Sequence, residues 1–234
     1  MKYLVNVDTS AASTIKPAGN PFDCTYLFTQ NHRRLRAVSL KNAQIPLGFY
    51  NIRAPYNTIT INNVPYTMTP GNYSGTAFLN ALNSTVTAGV GTFSIASATN
   101  IMTFVSAAGS ATITTLPTPT LGSLLGFSNG ATGTSITATG SYITNFDTYM
   151  NIWIKNLGTC SQETTQCTFK IPLDSGPGTI VHWTENMKNE SRVAVTDSGA
   201  IVDRLMITVV DRFGQPLNNN GLDWSMTLEI EADT

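Results

Sequence analysis

The sequence predicts an all-β protein: an antiparallel jelly-roll β-sandwich with an inserted, uncharged, small β-rich domain of α+β character. Residues Trp224–Glu231 alternate apolar and polar side chains, which is typical of a strand with one face in a core and the other in water. Eight or nine short segments of this general kind occur with no long helix between them, as in a sandwich of two antiparallel sheets. A window of 93 residues, between Arg53 and Asp147, contains no Lys, Arg, Asp, Glu or His.

The charge-free window predicts how the chain divides into domains. So sharp a change of composition favours a module inserted into a host domain, with edges near Pro55 and Asn145. We therefore expect a jelly roll formed by residues 1–54 and 147–234, and an inserted domain formed by residues 55–146. The predicted jelly-roll strands are Tyr3–Val7, Cys24–Thr29, Leu35–Leu40, Asn151–Lys155, Cys167–Leu173, Thr179–Thr184, Arg192–Thr196, Leu205–Asp211 and Trp224–Glu231.

Inside the window, the pattern predicts short strands around one helix. Ser74 follows a strand-breaking turn and could cap a helix over Thr76–Asn83, which has an apolar stripe. Leu121–Phe127 predicts one or two helical turns, whereas Gly130–Ser141 predicts an exposed loop or edge hairpin because it has little to bury. The predicted strands are Asn57–Asn62, Val64–Thr69, Thr92–Ala96, Ile101–Ser106 and Ala111–Leu116.

The composition limits the function. Only 12% of the residues are charged, about half the usual share of roughly 25%. The formal net charge is −1, so no global field attracts nucleic acid or an anionic membrane. No apolar run approaches the roughly 18 residues of a membrane span, and the N-terminus lacks the apolar core of a signal peptide. We therefore expect no signal peptide, no transmembrane segment, and folding in the cytoplasm of the cell that makes the protein.

The cysteines and histidines predict no metal site. Cys160 and Cys167 lie seven residues apart, Cys24 is distant from both, and no C-x-x-C pair exists. His32 and His182 do not complete a structural zinc site at a known ligand spacing. We expect free thiols, with a Cys160–Cys167 bridge across a hairpin as the alternative, and we expect neither a metal nor a cofactor.

Catalysis is also not predicted. His182 lies in an alternating strand near Glu185, but no Gly-x-Ser-x-Gly elbow orients a serine toward either histidine. Glu229 and Glu231 lie two residues apart on one strand face, which is common for solvated strand carboxylates and is weak evidence for a glycosidase pair. We therefore expect a protein that is not an enzyme.

Three parts of the chain resemble one family. Asp203–Ile230, which contains DRFGQPLNNNGLDWSMTLEI, is similar to the end of penton and related minor capsid proteins of large icosahedral DNA viruses and their virophages. Ser39–Ile52 is similar to the strand that precedes an insertion in the same proteins. The turn Pro70–Ser74 with its helix, and Leu124–Phe127, resemble the inserted module of that family.

The resemblance implies a single jelly roll with an insertion domain, located in the virion at the five-fold vertex of the capsid. It implies a homopentamer that also contacts the major capsid protein. We expect the neutral, hydroxyl-rich insert to project outward, where it could contact a fibre or a host surface receptor. Another single-jelly-roll minor capsid protein is one alternative. A carbohydrate-recognising, fibre-type head domain is a further alternative, with candidate sugar-stacking side chains Tyr56, Tyr66, Tyr73 and Tyr142.

The only concentrated positive charge is the cluster Arg33, Arg34 and Arg36. In one interpretation, this cluster lies on the inner side of the particle, against nucleic acid, an internal membrane or an acidic neighbouring capsid protein. In the other, it is a solvated strand edge on which charge prevents unwanted pairing.

Overall fold

The computed structural model of the protein describes residues 1–11, 13–33, 35–117, 119–143, 147–157, 167–186, 191–195 and 201–232. The described chain is mainly β-strand in antiparallel sheets, so the predicted all-β fold class is confirmed. The strands are β1 (Lys2–Asp8), β2 (Thr14–Ile15), β3 (Asp23–Arg33), β4 (Leu35–Pro46), β5 (Thr58–Ile61), β6 (Val64–Thr67), β7 (Gly91–Ala96), β8 (Ile101–Ser106), β9 (Ala111–Thr114), β10 (Ala131–Gly133), β11 (Ser135–Ser141), β12 (Tyr149–Ile154), β13 (Cys167–Pro172), β14 (Ile180–Thr184), β15 (Arg192–Ala194), β16 (Ile201–Val210) and β17 (Ser225–Ala232). The helices are α1 (Gly75–Val86) and α2 (Leu121–Leu124), and Pro17–Gly19 forms a 3-10 turn.

The chain forms two compact units, one of Met1–Phe49 with Asp147–Thr234 and the other of Tyr50–Phe146. The second unit begins five residues before the predicted edge at Pro55. Asn51 explains this start, because its amide donates to the carbonyl oxygen of Tyr73 at 2.7 Å and accepts from the Tyr73 N–H at 2.9 Å. The predicted domain bounds, residues 1–54 with 147–234 and residues 55–146, stay a prediction.

The first unit has the strand order of a jelly roll. One sheet has the order β1-β17-β4-β14, with β15 also paired to β4, and the other has the order β13-β12-β16-β3-β2. All pairs are antiparallel, and strands distant in sequence become neighbours, as two interleaved Greek keys require. The loop between β4 and β12 contains the whole second unit.

Alternation of side chains places the core of this unit between its two sheets. In β17 every second residue is buried, and the same faces of the neighbouring strands supply the remaining apolar contacts. The two sheets contribute to one cluster of buried side chains, which includes Val38, Leu40, Leu228 and Ile230 from the first sheet and Ile152, Ile154, Leu205 and Ile207 from the second.

The second unit combines two small sheets with helices α1 and α2. The sheets have the orders β10-β9-β5-β6 and β11-β8-β7. Helix α1 buries Phe78, Leu82 and Val86, which recur every fourth residue and so lie on one face of the helix. Ser74 is the N-cap residue as predicted, but its side chain makes no capping hydrogen bond. The capping box instead occurs at α2, between Thr120 and Ser123.

The prediction for Gly130–Ser141 was wrong in its main point. This tract is neither a loop nor a hairpin: β10 pairs with β9, and β11 pairs with β8 of the other sheet. The tract buries Ile136 and Ala138, which are 5% and 4% exposed and lie on the same face of β11. The tract therefore supplies one strand, β10, to the first small sheet and the next strand, β11, to the second.

Gly126 in the Leu124–Phe127 motif allows a close backbone crossing, and its replacement gives a testable prediction. Gly126 has φ +82°, and a Cβ atom at this position would lie 2.1 Å from the carbonyl oxygen of Gly140. We expect Gly126→Ala to destabilise the second unit by about 3 kcal/mol or more, because it adds a backbone clash to the cost of a left-handed alanine.

Gly130→Ala is the matched control for Gly126→Ala. Gly130 has a similar φ of +73°, but a Cβ atom there would meet nothing within 4 Å. We expect a loss of only about 1 kcal/mol from the conformational cost alone. Scanning calorimetry of both variants measures the difference, and equal losses would show that the contact with Gly140 does not constrain this turn.

Candidate functional surfaces

The basic cluster lies where the chain passes from β3 to β4. Arg33 is the last residue of β3, and Arg36 is an exposed residue of β4 between buried Leu35 and Ala37. Arg34 and the side chains of His32 and Arg33 lie outside the described part of the chain. Strand β4 is 12 residues long, so this turn lies roughly 35 Å along the strand from Pro46, after which the chain leaves the sandwich.

The outer face of the first sheet carries a cluster of paired charges that sequence reasoning did not find. We call it the charged face, and its members are Lys2, Lys41, Glu185, Arg192, Glu229 and Glu231. Lys2 Nζ lies 2.8 Å from Glu229 and 3.4 Å from Glu231. Lys41 Nζ lies 2.6 Å from Glu185 and 3.7 Å from Glu229. Arg192 binds both carboxylate oxygens of Glu231, at 3.2 and 2.8 Å.

These contacts favour the ionised forms of Glu231 and Glu185. Hydrogen bonds from Arg192, and then from Lys2, lower the pKa of Glu231 from 4.5 to about 2. The hydrogen bond from Lys41 lowers the pKa of Glu185. A glycosidase needs one carboxylic acid with a raised pKa, which is opposite to the shift of Glu231. The charged face therefore fits a role in holding strands together and offers no general acid at this position.

The charged face joins distant parts of the chain. Lys2 is on edge strand β1, Glu229 and Glu231 are on β17, Lys41 is on β4, and Arg192 is on β15. Both edges of the sheet are thus linked by ion pairs to its central strands. Since each pair is partly exposed, each one contributes modestly, and the network as a whole is the stabilising unit.

The loop between β16 and β17 contains the family-like motif and is held by its own polar side chains. The Asp211 carboxylate accepts from the backbone N–H of Phe213 at 2.8 Å and of Gln215 at 2.9 Å. Gly214 has φ +80°, and a Cβ atom there would lie 3.2 Å from the Trp153 ring. The turn therefore folds over Trp153 and requires glycine at this position.

Asn219 attaches the same loop to the end of β4. Its side chain is fully buried, accepts from the Gly48 N–H at 2.8 Å, and donates to the Leu222 carbonyl oxygen at 2.9 Å. A Cβ atom on Gly48 would lie 2.6 Å from the carbonyl oxygen of Asn219. Two of the segments that resemble the capsid family, Ser39–Ile52 and Asp203–Ile230, therefore meet at this end of the sandwich.

In the described ranges, no histidine or cysteine side chain forms part of a catalytic or metal-binding cluster. His182 is exposed on β14, opposite Gln44. Cys24 is a buried free thiol, and burial raises its pKa to about 12. Cys160 and the side chain of Cys167 lie outside the described residues, so the proposed bridge between them stays a prediction. Where side chains are described, no three His, Cys, Asp or Glu residues approach closely enough to bind a metal.

The prediction of sugar-stacking tyrosines was wrong for Tyr56, which is fully buried. Tyr66 and Tyr73 are half-buried, and the Tyr73 hydroxyl donates to the carbonyl oxygen of Thr69 at 2.9 Å. Tyr142 stacks on Phe78 with ring centroids 6.2 Å apart and therefore packs against the core. The Tyr56 ring is therefore not available for stacking on a sugar, and the other three tyrosine side chains are each only partly exposed.

The described segments include no helix that is both long enough and apolar enough to cross a membrane.

Comparison with known proteins finds a similar solved structure but no protein that is similar in sequence. No protein-family model matches the chain, and no curated protein matches it. Among solved structures, the chain is similar to a crystal structure of the selenomethionine-labelled mavirus penton protein. The two are 10% identical, the alignment covers 100% of both chains, and the TM-score is 0.43.

Proposed function

We propose that the protein is a structural component of a virus particle and occupies the five-fold vertex of its capsid. Its activity is binding: a pentameric ring through contacts between copies, and contacts from that ring to the major capsid protein. The observation that carries the proposal is a jelly roll interrupted between β4 and β12 by a second unit whose sequence has Arg53 as its only charged residue. The sequence resemblance implies an insertion at this point of the chain.

The second unit is proposed to be the outward part of the vertex. Cross-strand hydroxyl pairs cover its sheets, including Thr58 with Thr67 at 2.9 Å and Thr112 with Thr132 at 3.0 Å. Such a surface carries no charge to be desolvated on contact and short side chains with little entropy to lose. These properties suit contact with a fibre or a host surface.

The cluster of Arg33, Arg34 and Arg36 is proposed to face the interior of the particle. The β3–β4 turn is at the end of the sandwich opposite to Pro46 and to the exit of the chain. Positive charge at that end suits nucleic acid, an anionic internal membrane or an acidic neighbouring protein.

A density map of purified particles tests the proposed location. The jelly-roll sandwich should fit the density at the five-fold vertices, with the second unit outside and the β3–β4 connection inside. Density that places the sandwich elsewhere in the shell would support a different minor capsid role. An insert buried under the shell would contradict the proposed orientation.

A further inference from the structure

The outer edge of β1 is an unpaired sheet edge. Strand β1 pairs with β17 along one side, and no strand in the described ranges pairs with its other side. Thr9 N donates to the Trp224 carbonyl oxygen at 3.0 Å. The backbone N–H and C=O groups of the odd-numbered residues in this segment therefore point toward β17. In an antiparallel ladder the alternate residues direct their N–H and C=O groups the other way, so Lys2, Leu4, Asn6 and Asp8 face the open edge.

The end of this edge at Asp8 is already closed. The Asp8 carbonyl oxygen accepts from the Thr14 hydroxyl at 2.8 Å and from the Ala11 N–H at 3.1 Å. Three residues, Lys2, Leu4 and Asn6, are left with edge-facing backbone groups that have no partner among the described residues.

The open edge carries one apolar side chain, Leu4, which is 69% exposed, the highest value among the large apolar side chains of the described residues. Natural proteins usually protect such an edge with charge, proline or a covering segment. Here Lys2 is the only charged side chain among the three open residues.

We propose that this edge pairs with the same edge of a second copy, antiparallel and with a two-fold axis through Leu4. In this register Leu4 lies opposite the partner's Leu4, and Lys2 lies opposite the partner's Asn6. All three open residues are then hydrogen-bonded. Moving the register by two residues in one direction places Lys2 opposite the occupied Asp8 carbonyl. Moving it in the other direction places Lys2 opposite the partner's Leu4, so that the two Leu4 side chains no longer lie opposite each other.

The side chains agree with this register. The two Leu4 side chains cover each other on the solvent face, and no like charges lie opposite, because Lys2 faces an amide. On the core face, Tyr3 lies opposite the partner's Val5, so the apolar layer continues from one copy to the next. A two-fold contact closes on itself, so this dimer contact is distinct from the ring contacts proposed above and does not rest on them.

Cysteine cross-linking in the full chain tests the register. Residues opposite each other in a hydrogen-bonded pair have Cα atoms about 5.5 Å apart, which a disulfide can span. Under mild oxidation, we expect Leu4→Cys to give mostly disulfide-linked dimer on a non-reducing gel. Asn6→Cys is the matched control on the same strand and face, and it should stay monomeric on the gel. The unsubstituted chain gives the background from its three native cysteines.

A mixing experiment adds a second readout. Lys2→Cys and Asn6→Cys should each fail to cross-link alone and should form a mixed dimer when combined, because these positions lie opposite each other across the axis. Failure of Leu4→Cys to cross-link, or cross-linking of Asn6→Cys alone to the same extent, would overturn the proposed pairing.

Discussion

Replacing Trp224 with alanine is expected to lower the free energy of unfolding of the sandwich by about 3–5 kcal/mol. The indole is 3% exposed and packs edge-on against Phe22, with ring centroids 6.1 Å apart. Its Nε1–H donates to the Pro21 carbonyl oxygen at 2.7 Å, and its backbone N–H donates to the Thr9 hydroxyl at 2.9 Å. The substitution removes a large buried ring and leaves the Pro21 carbonyl oxygen without this donor.

Two further variants separate the contributions of Trp224. Trp224→Phe keeps much of the ring volume but removes the indole N–H, so we expect a smaller loss of about 1–3 kcal/mol. Leu222→Ala changes a neighbouring side chain that is 46% exposed, and we expect a change within about 0.5 kcal/mol. Urea unfolding followed by circular dichroism measures all three, and equal effects of Trp224→Ala and Leu222→Ala would contradict the anchoring role.

In acid, we expect the melting temperature of the first unit to fall while that of the second unit stays nearly constant. Glu231, Glu185 and Asp223 all have pKa values lowered by hydrogen bonds from cations, Arg192, Lys41 and Lys16 respectively. A carboxylate with a lowered pKa stabilises the folded state fully above its unfolded pKa, and this stabilisation is lost as pH falls toward the folded pKa. For Glu231 this window extends from about 4.5 down to about 2. The sandwich should therefore weaken across this window.

The second unit lacks groups that titrate in acid. Residues 54–146 contain no carboxylate side chain, histidine, lysine or arginine, so protonation below neutral pH has nothing to change there. We expect its melting temperature to stay within about 2 °C between pH 7 and 2.5, while that of the sandwich falls by about 5 °C or more.

Tryptophan fluorescence and calorimetry distinguish the two units. All three tryptophans, Trp153, Trp183 and Trp224, belong to the first unit, so their fluorescence reports the sandwich alone. Glu231→Gln should reduce the acid shift, whereas Asp174→Asn should not, since Asp174 is an exposed carboxylate that accepts a hydrogen bond from the neighbouring Ser175 hydroxyl and has no ion pair among the described residues. A single transition that moves as a whole with pH would contradict independent unfolding.

The sequence was informative wherever the signal is local. The alternation in Trp224–Glu231 predicted β17 because one face of that strand enters the core, and the burial pattern follows it residue by residue. The apolar stripe predicted for α1 consisted of Phe78, Leu79 and Leu82; the helix buries Phe78 and Leu82 and leaves Leu79 half-buried. In Gly130–Ser141, composition suggested a loop or an edge hairpin, whereas the tract forms β10 and β11 and buries Ile136 and Ala138 at alternate positions.

The charged face could not be predicted because its members lie far apart in sequence. Lys2 meets Glu229 across 227 positions, and only the strand order β1-β17-β4 brings them together. Glu229 and Glu231 were recognised as a pair on one strand face, but no local signal indicated their cations. Tyr56 was misjudged because a polar phenol in a loop-like segment suggests exposure, whereas this side chain is fully buried.

The native mass of the protein across a concentration series tests the proposed vertex role most directly. The variant Leu4→Lys should be used, because a lysine at this exposed position blocks the β1 edge and faces Glu229 on β17. We expect a species of about five times the chain mass of 25.1 kDa. A mass of 25.1 kDa at every concentration, or a trimer, would contradict a protein that forms the pentameric ring by itself.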